Sequence, residues 1–178
     1  AWAKWRAAEA RLEAARAELA EADRVVETVP ADVAAPREID RVLEEVQRRC
    51  GRLDVVFANA GTVEAPLLLD TDEAAYDHIM DTNLKSVFFL AIRSVPRMTE
   101  GGAIVVTGSA AAGKGRPAGA LYSASKAGVR SLVRTLALDQ ALLSRRIRIN
   151  AVTPGFIATP MLSYSDPGIS TALDEYVT

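Results

Sequence analysis

The sequence predicts an α/β fold: a parallel sheet with helices on both faces. Three observations predict it. Short apolar, β-rich runs alternate with longer one-sided helical segments, in the order α, β, α, β, α, β, α, β. The apolar runs are nearly continuous, as in strands buried on both faces of a parallel sheet. Each run is followed by polar or turn-forming residues, namely Asp32, Asn59, Ser109 and Pro154-Gly155, and the carboxyl ends of parallel strands are where such sheets bind ligands.

The elements follow in order. Residues 6–22 are dominated by Ala, Glu, Arg and Leu, which is strong helix chemistry. Val25, Val26 and Val29 then suggest a short strand running into Pro30. Pro36 suits the first turn of a helix, where its missing N–H is not needed. Ile39, Val42, Leu43, Val46 and Cys50 lie on one side of that helix, so Cys50 is expected to be packed; Arg48, Arg49 and Gly51 favour its end. Leu53–Ala58 is a buried-strand candidate. Asp70 or Thr71 can cap a helix reaching about Arg93. Gly101-Gly102 breaks the chain before a strand at Ala103–Thr107. A loop of small residues, 108–120, leads into a long helix from about Leu121 to Leu143. Arg148–Val152 is the last strand.

Composition narrows the function. At 178 residues, 49% hydrophobic and 25% charged, the chain suits one globular domain, 1–178, and neither a disordered chain nor a disulfide scaffold. The net charge is -2, and of the arginines only Arg145, Arg146 and Arg148 cluster, so no nucleic-acid partner is expected. The longest strictly apolar run, Val87–Ile92, is far below the roughly 20 residues that span a bilayer, so no membrane partner is expected either. A single cysteine cannot form an internal disulfide and fits a reducing compartment. A single histidine, His78, excludes any site needing two, and no metal site is expected.

Chemistry concentrates on Tyr122 and Lys126, four residues apart at the start of a helix and therefore on one face. A phenol is a poor base at neutral pH, and an adjacent ammonium favours the phenolate. Bringing a phenol to neutrality takes roughly 4 kcal/mol, much of which a shielded ammonium can supply. Chance alone gives about 0.09 such pairs in a chain of this composition, and an isolated pair reads as a surface Tyr beside a solvated Lys. Ser109, thirteen residues upstream at a strand end, lowers the joint chance to about 0.005. Asn59-Ala60-Gly61 follows one strand, Asn83 lies inside the next helix, and Pro154-Gly155 follows the last strand, so coincidence is no longer the economical reading.

With these residues in place, the sequence resembles the short-chain dehydrogenase/reductase family. The matching segments are Asp32-Val33, FANAG (57–61), DTNLKSVF (81–88), IVVTGSAAAG (104–113), YSASK (122–126) and INAVTPGFIATPM (149–161). The resemblance implies a Rossmann-type three-layer fold and hydride transfer between NAD or NADP and a small-molecule alcohol or carbonyl. Tyr122 would be the general acid/base. Lys126 would favour its phenolate and hold the nicotinamide ribose. Ser109 would orient the substrate oxygen, and Asn83 would hold a water linking Lys126 to solvent. Asp32 and Val33 would reach the adenine, and Asn59, Ala60 and Gly61 the adenosine ribose. Pro154, Gly155, Ile157 and Thr159 would bracket the nicotinamide. The family associates through the helices at 84–92 and 131–142, so a homodimer or homotetramer in the cytoplasm is expected.

The sequence also departs from the family. No TGxxxGxG phosphate loop precedes Gly51, and the residue that chooses NAD or NADP is missing with it. The expected domain is therefore incomplete, lacking the first two family strands and the last, and the chain reads as a fragment with weak or no activity alone. The family strand order 3-2-1-4-5-6-7 would then be replaced by direct pairing of Val25–Val29 with Leu53–Ala58, a four-stranded sheet. The rival reading is a non-catalytic relative acting through its association helices.

Overall fold

A computed structural model describes residues 2–20, 25–63, 68–114, 119–155 and 157. The chain divides into two compact units, Ala1–Asp32 and Val33–Thr178. The first contains α1 (Trp2–Ala20), with an Arg16–Glu13 pair at 2.9 Å on its exposed surface. Residues 25–32 follow without a strand, and Val25 is 96% exposed. The expected strand at Val25–Val29 and the four-stranded sheet built on it do not form. A strand exists only through its ladder, and among the described residues no strand pairs with this segment.

The second unit is a Rossmann-type parallel α/β sheet. Its strands are β1 (Leu53–Ala58), β2 (Met98–Thr107) and β3 (Arg148–Val152), in spatial order β1-β2-β3 and all parallel. β1 and β3 have the bounds that the sequence predicts. β2 starts earlier, because Gly101-Gly102 form a bulge inside the strand instead of breaking it. Pairing jumps from Leu53↔Met98 to Val55↔Ala103. Gly101 takes φ +77°, and a Cβ on Gly102 would stand 2.9 Å from the Asp54 carbonyl oxygen, so only glycine fits both positions. The Arg145 guanidinium closes the bulge by donating to the Met98 carbonyl at 2.5 Å, while the Gly101 N–H donates to the Arg145 carbonyl at 2.9 Å.

α2 (Pro36–Cys50) has Pro at its start, and its C-terminal Gly51 is left-handed with its N–H on the Gln47 carbonyl. Ile39 and Leu43 are buried, but Cys50, the last residue, is exposed. It lies beyond the turn that its stripe-mates pack, so the expected burial does not extend to it. Arg93 fastens α2 to α4 (Ser86–Ser94), donating to the Pro36 carbonyl at 2.6 Å and to the Asp40 carboxylate at 2.7 Å, with its guanidinium 4.5 Å over the Phe89 ring.

The helix expected from Asp70 or Thr71 is three pieces: α3 (Glu73–Met80), a π-helical turn (Asp81–Lys85) and α4. Its cap is Asp72, whose carboxylate accepts from the Ala75 N–H at 2.8 Å. In the π turn the Ser86 N–H reaches back to Asp81, and the Ser86 hydroxyl donates to the Thr82 carbonyl at 2.5 Å. The expected long helix is likewise α5 (Ala120–Leu136) and α6 (Gln140–Leu143). Asp139 splits them by capping a new start, accepting from the Ala141 N–H at 2.8 Å.

One core joins these parts. Val56, Ala58, Ile104, Val106 and Ile149 from the strands pack with Val87 and Ala91 of α4 and Val129 and Val133 of α5. Each fully buried aliphatic side chain contributes about 1.5–3 kcal/mol. The alternate residues of β1, Val55 and Phe57, are exposed.

Candidate active site

Most of the residues the sequence singled out in the second unit lie at the carboxyl ends of its three strands or on α5, and Asn83 lies in the π turn between α3 and α4. Lys126 is the centre. Its side chain is buried at 4% exposure, and its ammonium donates to the Thr107 carbonyl at the end of β2, 2.9 Å away. Burial penalises the charged form and lowers the Lys126 pKa. One turn earlier on α5, the half-buried Tyr122 holds its ring 5.9 Å from the ammonium, so the helix spacing does bring phenol and amine together.

The loop leaving β1 meets Lys126 from the other side. A Cβ on Gly61 would stand 3.5 Å from Nζ and 3.3 Å from the Asn83 Oδ1, so the loop touches both groups. Asn83, fully buried in the π turn, clamps the next residue: its Oδ1 accepts from the Thr62 N–H and its Nδ2 donates to the Thr62 carbonyl, both at 2.8 Å. Nδ2 also donates to the Ser125 hydroxyl at 3.2 Å. Both carboxamide hydrogens are therefore given to protein acceptors. Asn59 and Ala60 are exposed, with the Asn59 Oδ1 accepting from the Thr107 hydroxyl at 2.8 Å.

Ser109 follows β2. Its hydroxyl oxygen accepts from the Ala111 N–H at 3.2 Å, which leaves its own hydrogen free to turn towards a ligand. The stretch around it is stitched to β3: Gly108 N–H donates to the Val152 carbonyl at 2.8 Å, and Ala110 N–H to the Pro154 carbonyl at 2.9 Å. A Cβ on Gly155 would meet nothing within 4 Å, so open space adjoins it. Ile157 is 56% exposed. Asp32 is exposed at the end of the first unit, and Val33 opens the second. Thr159 lies outside the described residues. The sequence reading missed Thr62, Thr107 and Ser125, two of which act through their backbone groups; Ser125, inside YSASK, carried no signal beyond its place in that motif.

Among the described residues there is no metal-binding cluster, and no helix is long and apolar enough to cross a membrane.

Known proteins resemble this chain along most of its length. Residues 3–176 match the family model described as enoyl-(acyl carrier protein) reductase. The 3-oxoacyl-(acyl-carrier-protein) reductase FabG of Staphylococcus aureus is 39% identical over 135 residues, covering 75% of this chain and 54% of that protein. Versicolorin reductase 1 of Aspergillus parasiticus is 37% identical over 134 residues, covering 75% and 50%. Thus the chain spans about half the length of the curated relatives it matches. Among solved structures, a short chain dehydrogenase from Burkholderia cenocepacia in complex with NADP has TM-score 0.79 and 32% identity, over 84% of this chain and 60% of that one. A Burkholderia cenocepacia dehydrogenase with bound NADP has TM-score 0.85 and 25% identity, over 93% and 62%. The sheet, the Tyr122–Lys126 pair beside it and these matches place the chain in the short-chain dehydrogenase/reductase family.

Proposed function

We propose that this chain carries the catalytic part of an oxidoreductase that interconverts a carbonyl and an alcohol with a nicotinamide cofactor, NADP in the first instance. One observation carries the reading. A buried ammonium sits at the carboxyl end of β2, against the β1 loop, one helical turn from a tyrosine.

The residues suit the nicotinamide-ribose end of such a cofactor. An ammonium has three hydrogens, and Lys126 gives one to Thr107, which leaves two for a vicinal diol. Gly61 keeps the β1 loop close to Nζ, and open space adjoins Gly155. When bound, the cofactor gives or takes the hydride. Tyr122 gives its phenolic proton to the substrate oxygen in reduction and takes it back in oxidation. Ser109 turns its free hydrogen onto the same oxygen and orients it. Lys126 favours the phenolate electrostatically and holds the diol. Asn83 keeps the wall of the site in place. FabG and versicolorin reductase are named for different substrates, so the class proposed is the reacting group itself.

Self-association fits the same reading. A hollow of about 320 Å³ opens between Met80, Leu84, Phe88, Phe89 and Leu132, on the helices by which the family associates. We read it as the contact with a second copy, in a homodimer or homotetramer, and Phe88→Asp should dissociate it in sedimentation.

The deciding experiment titrates NADP and NAD into the full-length protein carrying this chain, followed by intrinsic fluorescence. NADP should bind, and Tyr122→Phe should keep that binding while losing turnover. Absence of binding by either cofactor would overturn the proposal in favour of a non-catalytic interaction protein.

A further inference from the structure

We infer that Ser125 is a positioning residue: its buried hydroxyl orients the Asn83 carboxamide and, through it, holds the loop after β1 against Lys126. The inference rests on the reading that Lys126 and Tyr122 carry the chemistry.

The hydrogen-bond polarity is fixed at every step. The Ser125 hydroxyl donates its only hydrogen to the Tyr122 carbonyl, 2.7 Å away, so towards Asn83 it can act only as an acceptor. It accepts there from Nδ2 at 3.2 Å. With Nδ2 fixed, Oδ1 faces the Thr62 N–H, and the remaining Nδ2 hydrogen faces the Thr62 carbonyl. A relay thus runs from the Thr62 backbone through Asn83 and Ser125 to the Tyr122 backbone, joining three chain segments distant in sequence. Linked bonds of this kind reinforce one another in a dry interior. Both side chains are fully buried, so no water takes the place of a lost partner.

The other buried serines among the described residues do not do this. Ser86 and Ser94 give their hydrogens to carbonyls of their own helix, at 2.5 and 2.6 Å, which is the ordinary behaviour of a helical serine. Ser125 does the same and also receives a bond from another element. Gly61 shows what depends on it: the loop residue before Thr62 lies against both the Asn83 oxygen and the Lys126 nitrogen. If the Thr62 clamp loosens, the wall beside the ammonium moves.

The test is amide hydrogen exchange at Thr62, taken as a ratio to the β2 amides of Ile104 and Val106, in the full-length protein. The ratio remains readable even if a variant lowers global stability, because global opening raises both rates together. Ser125→Ala should raise the ratio about tenfold, and Ser125→Thr, which keeps the hydroxyl, should restore it. In kinetics, Ser125→Ala should raise KM for the cofactor about tenfold and leave kcat less affected, with recovery in Ser125→Thr. An unchanged exchange ratio in Ser125→Ala overturns the inference, while loss of turnover in Tyr122→Phe would leave the proposed function standing. A raised ratio with turnover intact in both Ser125→Ala and Tyr122→Phe overturns the proposed function, and the positioning role falls with it.

Discussion

Two cations reach backbone carbonyls at opposite ends of the same strand. Arg145 donates to Met98 where β2 begins, and Lys126 donates to Thr107 where it ends. The bonds are alike, and their settings are not. Arg145 is half-buried and closes a bulge already shaped by Gly101 and Gly102. A guanidinium stays charged at any pH a protein meets, so it makes a dependable clasp. Lys126 is almost wholly buried, its charge is disfavoured by that burial, and a tyrosine ring and the loop after β1 converge on it. An amine in that setting is tunable, which suits chemistry. Identical local bonding therefore says little about role, and the surroundings of the cation decide it.

The widest separation between the two ends should appear in turnover. Tyr122→Phe and Lys126→Met should each lower kcat by about 10²–10⁴, whereas Arg145→Met should keep it within about twofold in steady-state kinetics. A large kinetic loss in Arg145→Met would erase the distinction. Stability should order them the other way. Gly102→Ala drives a Cβ against backbone oxygens that cannot give way, and should cost about 1–3 kcal/mol in denaturant unfolding. Arg145→Met loses a half-exposed charged hydrogen bond and should cost about 1.5 kcal/mol in the same measurement.

The smallest effect is the dependence on pH. The folded pKa of Lys126 lies below its ordinary value of 10.5. Between the two values the unfolded chain binds more protons than the folded one, so this group makes stability rise with pH there. The contribution cannot exceed about 1.4 kcal/mol per pH unit, and it ends above the unfolded value. Urea midpoints measured up that range should climb in the wild type and in Arg145→Met, and the climb should shrink in Lys126→Met.

The same contrast shows what was legible in the sequence. α2 could be read to the residue because Pro36 and Gly51 are local signals that act through their own backbones. β1 and β3 could be read because compact apolar runs have few alternatives in a parallel sheet. Val25–Val29 looked equally strand-like, yet β structure needs a partner that local composition does not record. Gly101-Gly102 looked like a break because a bulge is defined by the neighbouring strand, here the Asp54 carbonyl. Asp72 cannot be told from Asp70 and Thr71 by residue type alone, and Asp139 interrupts a segment whose composition stays helical on both sides. In the site, Tyr122, Lys126 and Ser109 stood out by type and spacing, and Asn83 by its place in a segment that resembles the family. Thr62 and Thr107 did not, because the groups that hold Asn83 and Lys126 are main-chain atoms, which every residue possesses.

The π turn at Asp81–Lys85 also acts as a phase corrector. Ile79, Asn83, Val87, Ala91 and Val95 recur every fourth residue, and all five are buried. An ordinary α-helix advances about 100° per residue, so four such steps drift by about 160° and would carry the last of them round to the opposite side. The extra residue in the wide turn takes back about 100° of that rotation. The drift falls to about 60°, and one inward-facing line survives from α3 through α4. Deleting a single residue there would leave an ordinary α-helix with the α4 part of that line still facing the core, whereas winding the same residues as α-helix throughout would turn it out.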